Sequence, residues 1–190
     1  MTTTTVADLH GQARVDMTVE EAFAFFTESI GRWWPAEYHI GSSAMVDTIL
    51  EPLPGGRWYE RGDDGSECDW GRVLTWEPPH RIVLTWQING SWQYDPDPAR
   101  ASEIEIRFIP DGPQQTLVEL DHRHLDRLID GQAMHDAIDQ AGGGWSSVLQ
   151  VYAAAAPHRQ RSAGGPTAAV TATRHRPHHP AADEPHQVAP

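Results

Sequence analysis

His122 and His124 stand two residues apart in Leu117-Val118-Glu119-Leu120-Asp121-His122-Arg123-His124, a run that alternates apolar and polar side chains. In an extended chain, residues i and i+2 share a face. His122 therefore falls in phase with Val118 and Leu120, on the inward side. An inward imidazole can act as a general base or orient a ligand carbonyl, or it can simply be a core histidine with its hydrogen bonds met. Glu60 is a second inward candidate, because it shares parity with Trp58 in Arg57-Trp58-Tyr59-Glu60-Arg61. Were the two to meet, a desolvated carboxylate beside an imidazole would form a tuned acid–base pair. Arg72, in Trp70-Gly71-Arg72-Val73, is a third group that could orient a polar ligand atom.

Other chemistries find little support. No acid or cysteine joins His122 and His124 at a metal-ligand spacing, so no metal is expected. Cys68 is the sole cysteine, which excludes an internal disulfide and a zinc cluster. No Gly-x-Ser-x-Gly elbow is present, and Gly142-Gly143-Gly144 lacks the lysine of a phosphate-cradling loop. We therefore assign no catalytic residue and expect no cofactor.

Tryptophan is the abundant resource. Trp34, Trp58, Trp70, Trp86 and Trp145 recur along the chain, with Phe108 and Leu149 on neighbouring apolar stripes. Each ring buries about 150–250 Å², so any one of them can serve as core packing. As a set they favour the wall of a cavity for a planar or lipid-like molecule, since five indole N–H groups need five partners.

The elements that must position these residues follow from pattern. Residues 10–17 read as a short strand, and Thr18 with Glu21 forms a capping box. A helix then carries Val19, Ala22, Phe23, Phe26 and Ile30 on one stripe, and Gly31 is expected to stop it. Strands are expected at 44–50, 56–61, 67–77, 80–88, 102–109 and 115–123, separated by Pro- and Gly-rich breaks. With no helices between them, the sheet should be antiparallel. Alternation makes one face apolar: Ile104, Ile106 and Phe108 on one strand, Ile82, Leu84 and Trp86 on another, and Trp70, Leu74 and Trp76 on a third. The expected cover is a closing helix over residues 131–156, with Ala133, Ala137, Ala141, Trp145, Leu149 and Tyr152 facing the sheet and the glycines bending it. Residues 1–9 read as a flexible start. Residues 157–190 read as a disordered tail of Pro, Ala, His and Arg, too poor in large apolar side chains to offset the entropy of ordering.

Composition narrows the partners. The net charge of −13 is concentrated in residues 1–156, where ten Arg face 25 acids, and no Lys occurs. Such a surface repels phosphate backbones, so nucleic acid is not an expected partner. No apolar run approaches the length of a membrane span. Met1-Thr2-Thr3-Thr4-Thr5 offers neither a basic nor an apolar leader region, so a cytoplasmic location is expected.

Five segments carry a resemblance: Val19-Glu20-Glu21-Ala22-Phe23, Pro54-Gly55-Gly56-Arg57-Trp58, Trp70-Gly71-Arg72-Val73, Pro78-Pro79-His80-Arg81-Ile82-Val83-Leu84-Thr85-Trp86, and Gly144-Trp145. In that order and spacing, over about residues 10–156, the chain resembles the START-like (SRPBCC) superfamily. Within it, the match is to homologues of the activator of heat-shock-protein-90 ATPase. The resemblance implies an α+β helix-grip fold, in which a curved antiparallel sheet wraps a long C-terminal helix, and a hydrophobic pocket between the two. It fixes no reaction. The residues favour a small apolar or aromatic ligand held without catalysis, with Trp34, Trp58, Glu60, Trp70, Arg72, Trp86, Phe108, His122, Trp145 and Leu149 as the candidate contacts and entry near Trp33, Trp34 and the 89–100 loop. Relatives within the superfamily also suggest a polyketide aromatase or cyclase, or a co-chaperone whose acidic convex face meets a protein partner. A homodimer through a sheet edge is compatible with the pattern but not required by it.

Overall fold

In the computed structural model of the protein, residues 5–140 and 143–157 are described. The expected tail falls outside them from residue 158 onward. Seven strands form one antiparallel sheet: β1 (Leu9–Val15), β2 (Met45–Leu50), β3 (Arg57–Gly62), β4 (Glu67–Glu77), β5 (Arg81–Trp86), β6 (Ser102–Pro110) and β7 (Thr116–Arg123). Their spatial order is β1-β7-β6-β5-β4-β3-β2, a meander from β2 to β7 with β1 added beside β7. Among the described residues, four α-helices cover one face: α1 (Val19–Glu28), α2 (Ile30–Trp33), α3 (Gly131–Gln140) and α4 (Gly144–Ala155). This is a helix-grip fold. None of these helices is long and apolar enough to cross a membrane.

The start of α1 is capped as expected. Thr18 Oγ1 accepts from Glu21 N at 3.3 Å, and Glu21 Oε2 accepts from Thr18 N at 3.0 Å. Its Phe23 and Phe26 reach the sheet, where both rings meet Phe108. Gly31 does not stop this helix. The break comes at Ser29, and Gly31 lies inside α2, where a Cβ would collide with the Asp47 carboxylate of β2. The glycine serves close approach, not termination.

The closing segment differs from a single bent helix. Gly143 and Gly144 have φ of 118° and 57°, left-handed values that a right-handed helix cannot continue through. The glycines therefore break the segment into α3 and α4. In α3 the sheltered positions are Gly131, Met134 and Ile138, so the expected Ala133/Ala137 stripe is one residue out of phase. Moreover, α4 is only 12 residues long. It lies hard against β1, where a Cβ on Gly11 would sit 2.7 Å from the Trp145 carbonyl carbon and 2.8 Å from Ser146 N.

Two bulges in β4 correct the parity read from the sequence. Pairing runs from Trp58↔Gly71 to Tyr59↔Asp69, which leaves Trp70 as the extra residue, and from Val73↔Leu84 to Thr75↔Val83, which leaves Leu74 extra. Leu74 consequently turns outward and is 46% exposed, while Trp70 and Val73 are buried. Bulges of this kind re-aim side chains next to a site.

The outer face of the sheet is a lattice of both signs. Glu105 receives Arg81 at 2.5 Å and Arg123 at 2.7 Å, Arg107 spans Glu119 and Asp121, and Arg57 spans Glu67 and Asp69. Acids there are matched by arginines, so the sheet's back is not the one-sign acidic surface expected of a co-chaperone contact.

Candidate functional site

A cavity of about 240 Å³ opens between the sheet and the start of α4. Trp70 from the β4 bulge, Trp86 at the end of β5, Trp34 just after α2, and Trp145 with Val148 on α4 supply its apolar wall. Its lip is built from two loops, one carrying Glu37, Tyr38, His39 and Ile40 and the other carrying Trp92. Ile88, Ile138 and Gly144 complete the lining.

The indole N–H groups of this wall are mostly committed to protein acceptors. Trp34 Nε1 donates to Tyr38 O at 3.0 Å, Trp70 Nε1 to Glu60 Oε2 at 2.9 Å, and Trp145 Nε1 to His122 Nδ1 at 3.2 Å. Trp86 Nε1 is buried without an acceptor, as is Nε1 of Trp58 behind it. The rings pack edge to face or tilted, with centroids 5.2 Å apart for Trp34–Trp70, 5.3 Å for Trp58–Trp70 and 5.6 Å for Trp86–Trp145. Each ring therefore props its neighbours, which holds the cavity open.

His122 is inward, as its phase suggests, and wholly buried beneath Trp86 and Trp145. An indole N–H can only donate, so Nδ1 is the acceptor and the proton sits on Nε2. That nitrogen donates to Ser102 Oγ at 2.8 Å, and Ser102 Oγ donates onward to Trp86 O at 3.3 Å. Burial, aided by nearby His135, lowers the imidazole's pKa to about 3. Both nitrogens are thus occupied, and the ring is neutral at ordinary pH. In this state His122 orients Trp145 and has no lone pair free for a substrate proton.

Glu60 does not meet His122. Its carboxylate accepts from Trp70 Nε1, from Ile40 N at 3.0 Å and from Gly41 N. A Cβ at Gly41 would strike that carboxylate, which accounts for the glycine. Glu60 is therefore the anchor of the lip loop, tying it to β3 and β4. Arg72 lies outside the lining, paired with Asp69 at 2.9 Å and with Gly71 O at 3.1 Å. Phe108 packs on Phe23 and Phe26, and Leu149 is fully buried under α4, both also outside the lining. Of the ten candidate contacts, Trp34, Trp70, Trp86 and Trp145 come together at the cavity; Trp58, Glu60 and His122 stand directly behind them. Among the described residues, no three His, Cys, Asp or Glu side chains gather where a metal could be held.

Residues 16–155 match the family model described as Activator of Hsp90 ATPase homolog 1-like protein. The chain belongs to this family. Among solved structures, an anthrahydroquino-gamma-pyrone synthase, Txn09, is 38% identical, with 82% of this chain and 99% of that one covered and a TM-score of 0.57. The self-sacrificing resistance protein CalC from Micromonospora echinospora is 26% identical over 77% of this chain and 92% of its own, with a TM-score of 0.56. Protein NE0264 from Nitrosomonas europaea shares the fold at 17% identity, over 78% and 92% of the two chains, with a TM-score of 0.54. No curated protein matches the chain.

Within this Activator of Hsp90 ATPase homolog 1-like domain, the entrance was expected near Trp33, Trp34 and the 89–100 loop, but the lip rings Tyr38 and Trp92 themselves were not named from sequence. Tyr38 and Trp92 are 40% and 46% exposed, large rings in loops rather than on strands or helices. Trp92 has φ 58°, a left-handed conformation uncommon for a large side chain. The turn that holds it is fastened by Asn89 Oδ1, which accepts from Ser91 N and Gln93 N, and by Gly90 N, which donates to Ile129 O. Aromatic residues inside polar, Gly-containing loops were the available signal, since loops on a rigid scaffold commonly carry binding residues.

Proposed function

We propose that this member of the family binds a planar, fused-ring aromatic molecule between α4 and the sheet, without turning it over. The observation that carries this reading is the convergence of Trp34, Trp70, Trp86 and Trp145 on one apolar cavity that opens between two aromatic-bearing loops. Flat π surfaces pair best with other flat π surfaces, and burial of apolar area supplies the affinity. A volume of about 240 Å³ is small beside ordinary ligand sites, so a ligand of several rings extends out past Tyr38 and Trp92. Thermal unfolding against a panel of tricyclic and tetracyclic aromatics tests the reading. A true ligand at a hundred times its Kd should stabilise the domain by about 2.7 kcal/mol, roughly 5–10 °C at this chain length. A panel that shifts nothing while acyclic lipids shift the transition would overturn it.

The 38% identity to a synthase of a fused aromatic pyrone supports a second reading, ring closure on such a frame. Closing an oxygen ring by adding a hydroxyl across a conjugated C=C forms the C–O bond as the π bond breaks, with a proton taken from the hydroxyl and one delivered to the other carbon. His122 is not the group for that work, with both nitrogens engaged. The lip supplies His39, Glu37 and Tyr38 instead. Conversion of an open-chain aromatic precursor by the wild type, lost in His39→Ala but kept in His122→Asn, would favour catalysis over simple holding.

A further inference from the structure

We propose that the cavity selects by charge, taking cationic or electron-poor aromatic ring systems in preference to anionic ones of the same size. This rests on the binding reading above and adds the electrostatics of the wall to it. The argument starts at Trp70. Its N–H donates to the Glu60 carboxylate at 2.9 Å, and that carboxylate is only 2% exposed. No Arg or His among the described residues lies within ion-pair distance of Glu60, so its charge is met by three N–H dipoles alone. A carboxylate on an indole N–H pushes electron density into the ring and enriches the π face toward which a ligand stacks. The faces of aromatic rings already attract cations, most strongly for Trp and most strongly where water is excluded.

The rest of the wall has the same sign. No Arg lines the cavity, and the carboxylate on its lining is that of Glu37 at the lip. The N–H groups of Trp34, Trp70 and Trp145 are spent on protein acceptors, so these rings have no indole donor to spare for an anion's oxygens. Beyond the site, a net charge of −13 draws cations toward the mouth. Trp86 Nε1 has no acceptor, but it is buried, so an anionic ligand would leave water for a wall without a cation and without an indole donor within its reach on Trp34, Trp70, Trp86 or Trp145. The only other titratable groups on the lining are His39 and Tyr38, both on the exposed lip.

Three tricyclic probes of near-equal area separate the terms: the proflavine cation, neutral anthracene methanol and anthracene carboxylate, each titrated against tryptophan fluorescence. The wild type should bind proflavine at least about tenfold tighter than the carboxylate, with the neutral probe between. In Glu60→Gln the ratio of proflavine to anthracene methanol affinity should fall several-fold. Reading a ratio removes any loosening of the lip that the substitution causes. Glu37→Gln, at an exposed position that will not disturb folding, should lower the same ratio by a smaller factor and keeps the test decisive if Glu60→Gln fails to fold. Carboxylate binding as tight as proflavine binding, or ratios unchanged in both variants, overturns the inference while leaving the aromatic site intact. Failure of all three probes to bind overturns the site itself.

Discussion

The space between α4 and the sheet has two ends, and they are filled differently. At one end Phe23, Phe26, Trp33, Phe108 and Tyr152 pack ring against ring, with the Phe26 centroid 4.8 Å from that of Trp33 and 5.2 Å from that of Tyr152. The polar atoms of that end are satisfied: Tyr152 OH donates to Ala22 O at 2.8 Å, and Trp33 Nε1 to Phe26 O at 3.1 Å. At the other end the indoles of Trp34, Trp70, Trp86, Trp92 and Trp145 border a void, and the N–H groups of Trp86 and of Trp58 behind it have no acceptor. A buried donor left unpaired costs about 1–3 kcal/mol. Both ends are rich in large rings, so ring supply does not decide which one closes. At the closed end α1 brings Phe23 and Phe26 against Phe108 of β6, and Phe26 against Tyr152 of α4, whereas two loops form the lip of the open end. Whether a pocket survives depends on how many backbone elements deliver side chains into it.

The sharpest way to break this comparison is to remove one ring from each end. Phe26→Ala should cost about 3–5 kcal/mol in urea unfolding, because a close-packed site cannot collapse around the hole. Trp34→Ala should cost only about 1–2 kcal/mol, since the ring is half-buried and already borders a void. Binding of a planar probe should respond the other way, surviving in Phe26→Ala and falling at least about tenfold in Trp34→Ala. Equal stability losses at the two positions would show that the open end is packed as tightly as the closed one.

Acid offers the next largest effect, and at His122 it acts on the open end. His122 has a folded pKa of about 3 against an ordinary 6.5, so the unfolded chain binds the extra proton between those values. Its contribution is fully present above pH 6.5 and is lost as pH falls toward the folded pKa, at about 1.4 kcal/mol per pH unit. Stability measured by urea at steps from pH 7 to pH 4 should fall in the wild type, with His122 adding that slope to the loss from carboxylates such as Asp95, which the Arg100 hydrogen bond holds low. His122→Asn keeps a polar side chain beneath Trp145 but does not titrate, and its profile should be flatter by one proton's worth. A profile identical to the wild type's would mean that the imidazole is not the buried neutral group its hydrogen bonds describe.

These two ends were unequally legible in the sequence. The capping box at Thr18, the Phe23/Phe26 stripe and the inward phase of His122 depend on local periodicity, and the structure has all three. Strand limits came within a residue or two for the same reason. What escaped was non-local. Trp70 and Leu74 are bulge residues, and a bulge depends on the partner strand's register rather than on the bulged strand's own pattern. Glu60 was correctly read as inward, yet two of its three donors are the backbone N–H groups of Ile40 and Gly41, which no residue type announces. His122 likewise could be placed on a face but not given its tautomer, because that is dictated by an indole 23 positions along the chain.

Gly11 carries the same lesson and makes the smallest of these predictions. A glycine inside a strand ordinarily weakens it, and replacement by alanine at a compatible position gains about 0.4–1 kcal/mol by restricting the unfolded chain. Here the added Cβ would lie 2.7 Å from the Trp145 carbonyl carbon and 2.8 Å from Ser146 N. These are backbone atoms, so no rotamer change relieves the contact and the first turn of α4 has to move off β1. Overpacking of that kind costs about 1–3 kcal/mol, enough to outweigh the entropic gain. Trp145 and Val148 ride on the same turn and line the cavity, so Gly11→Ala should also weaken binding of a planar probe several-fold. The closed end, held by Tyr152 near the far end of α4, should keep its packing, visible as unchanged protection of the Tyr152 and Phe26 amides in hydrogen exchange. If Gly11→Ala instead raises stability with binding intact, α4 slides on the sheet without penalty, and the cavity's dimensions are not set by the helix–strand contact.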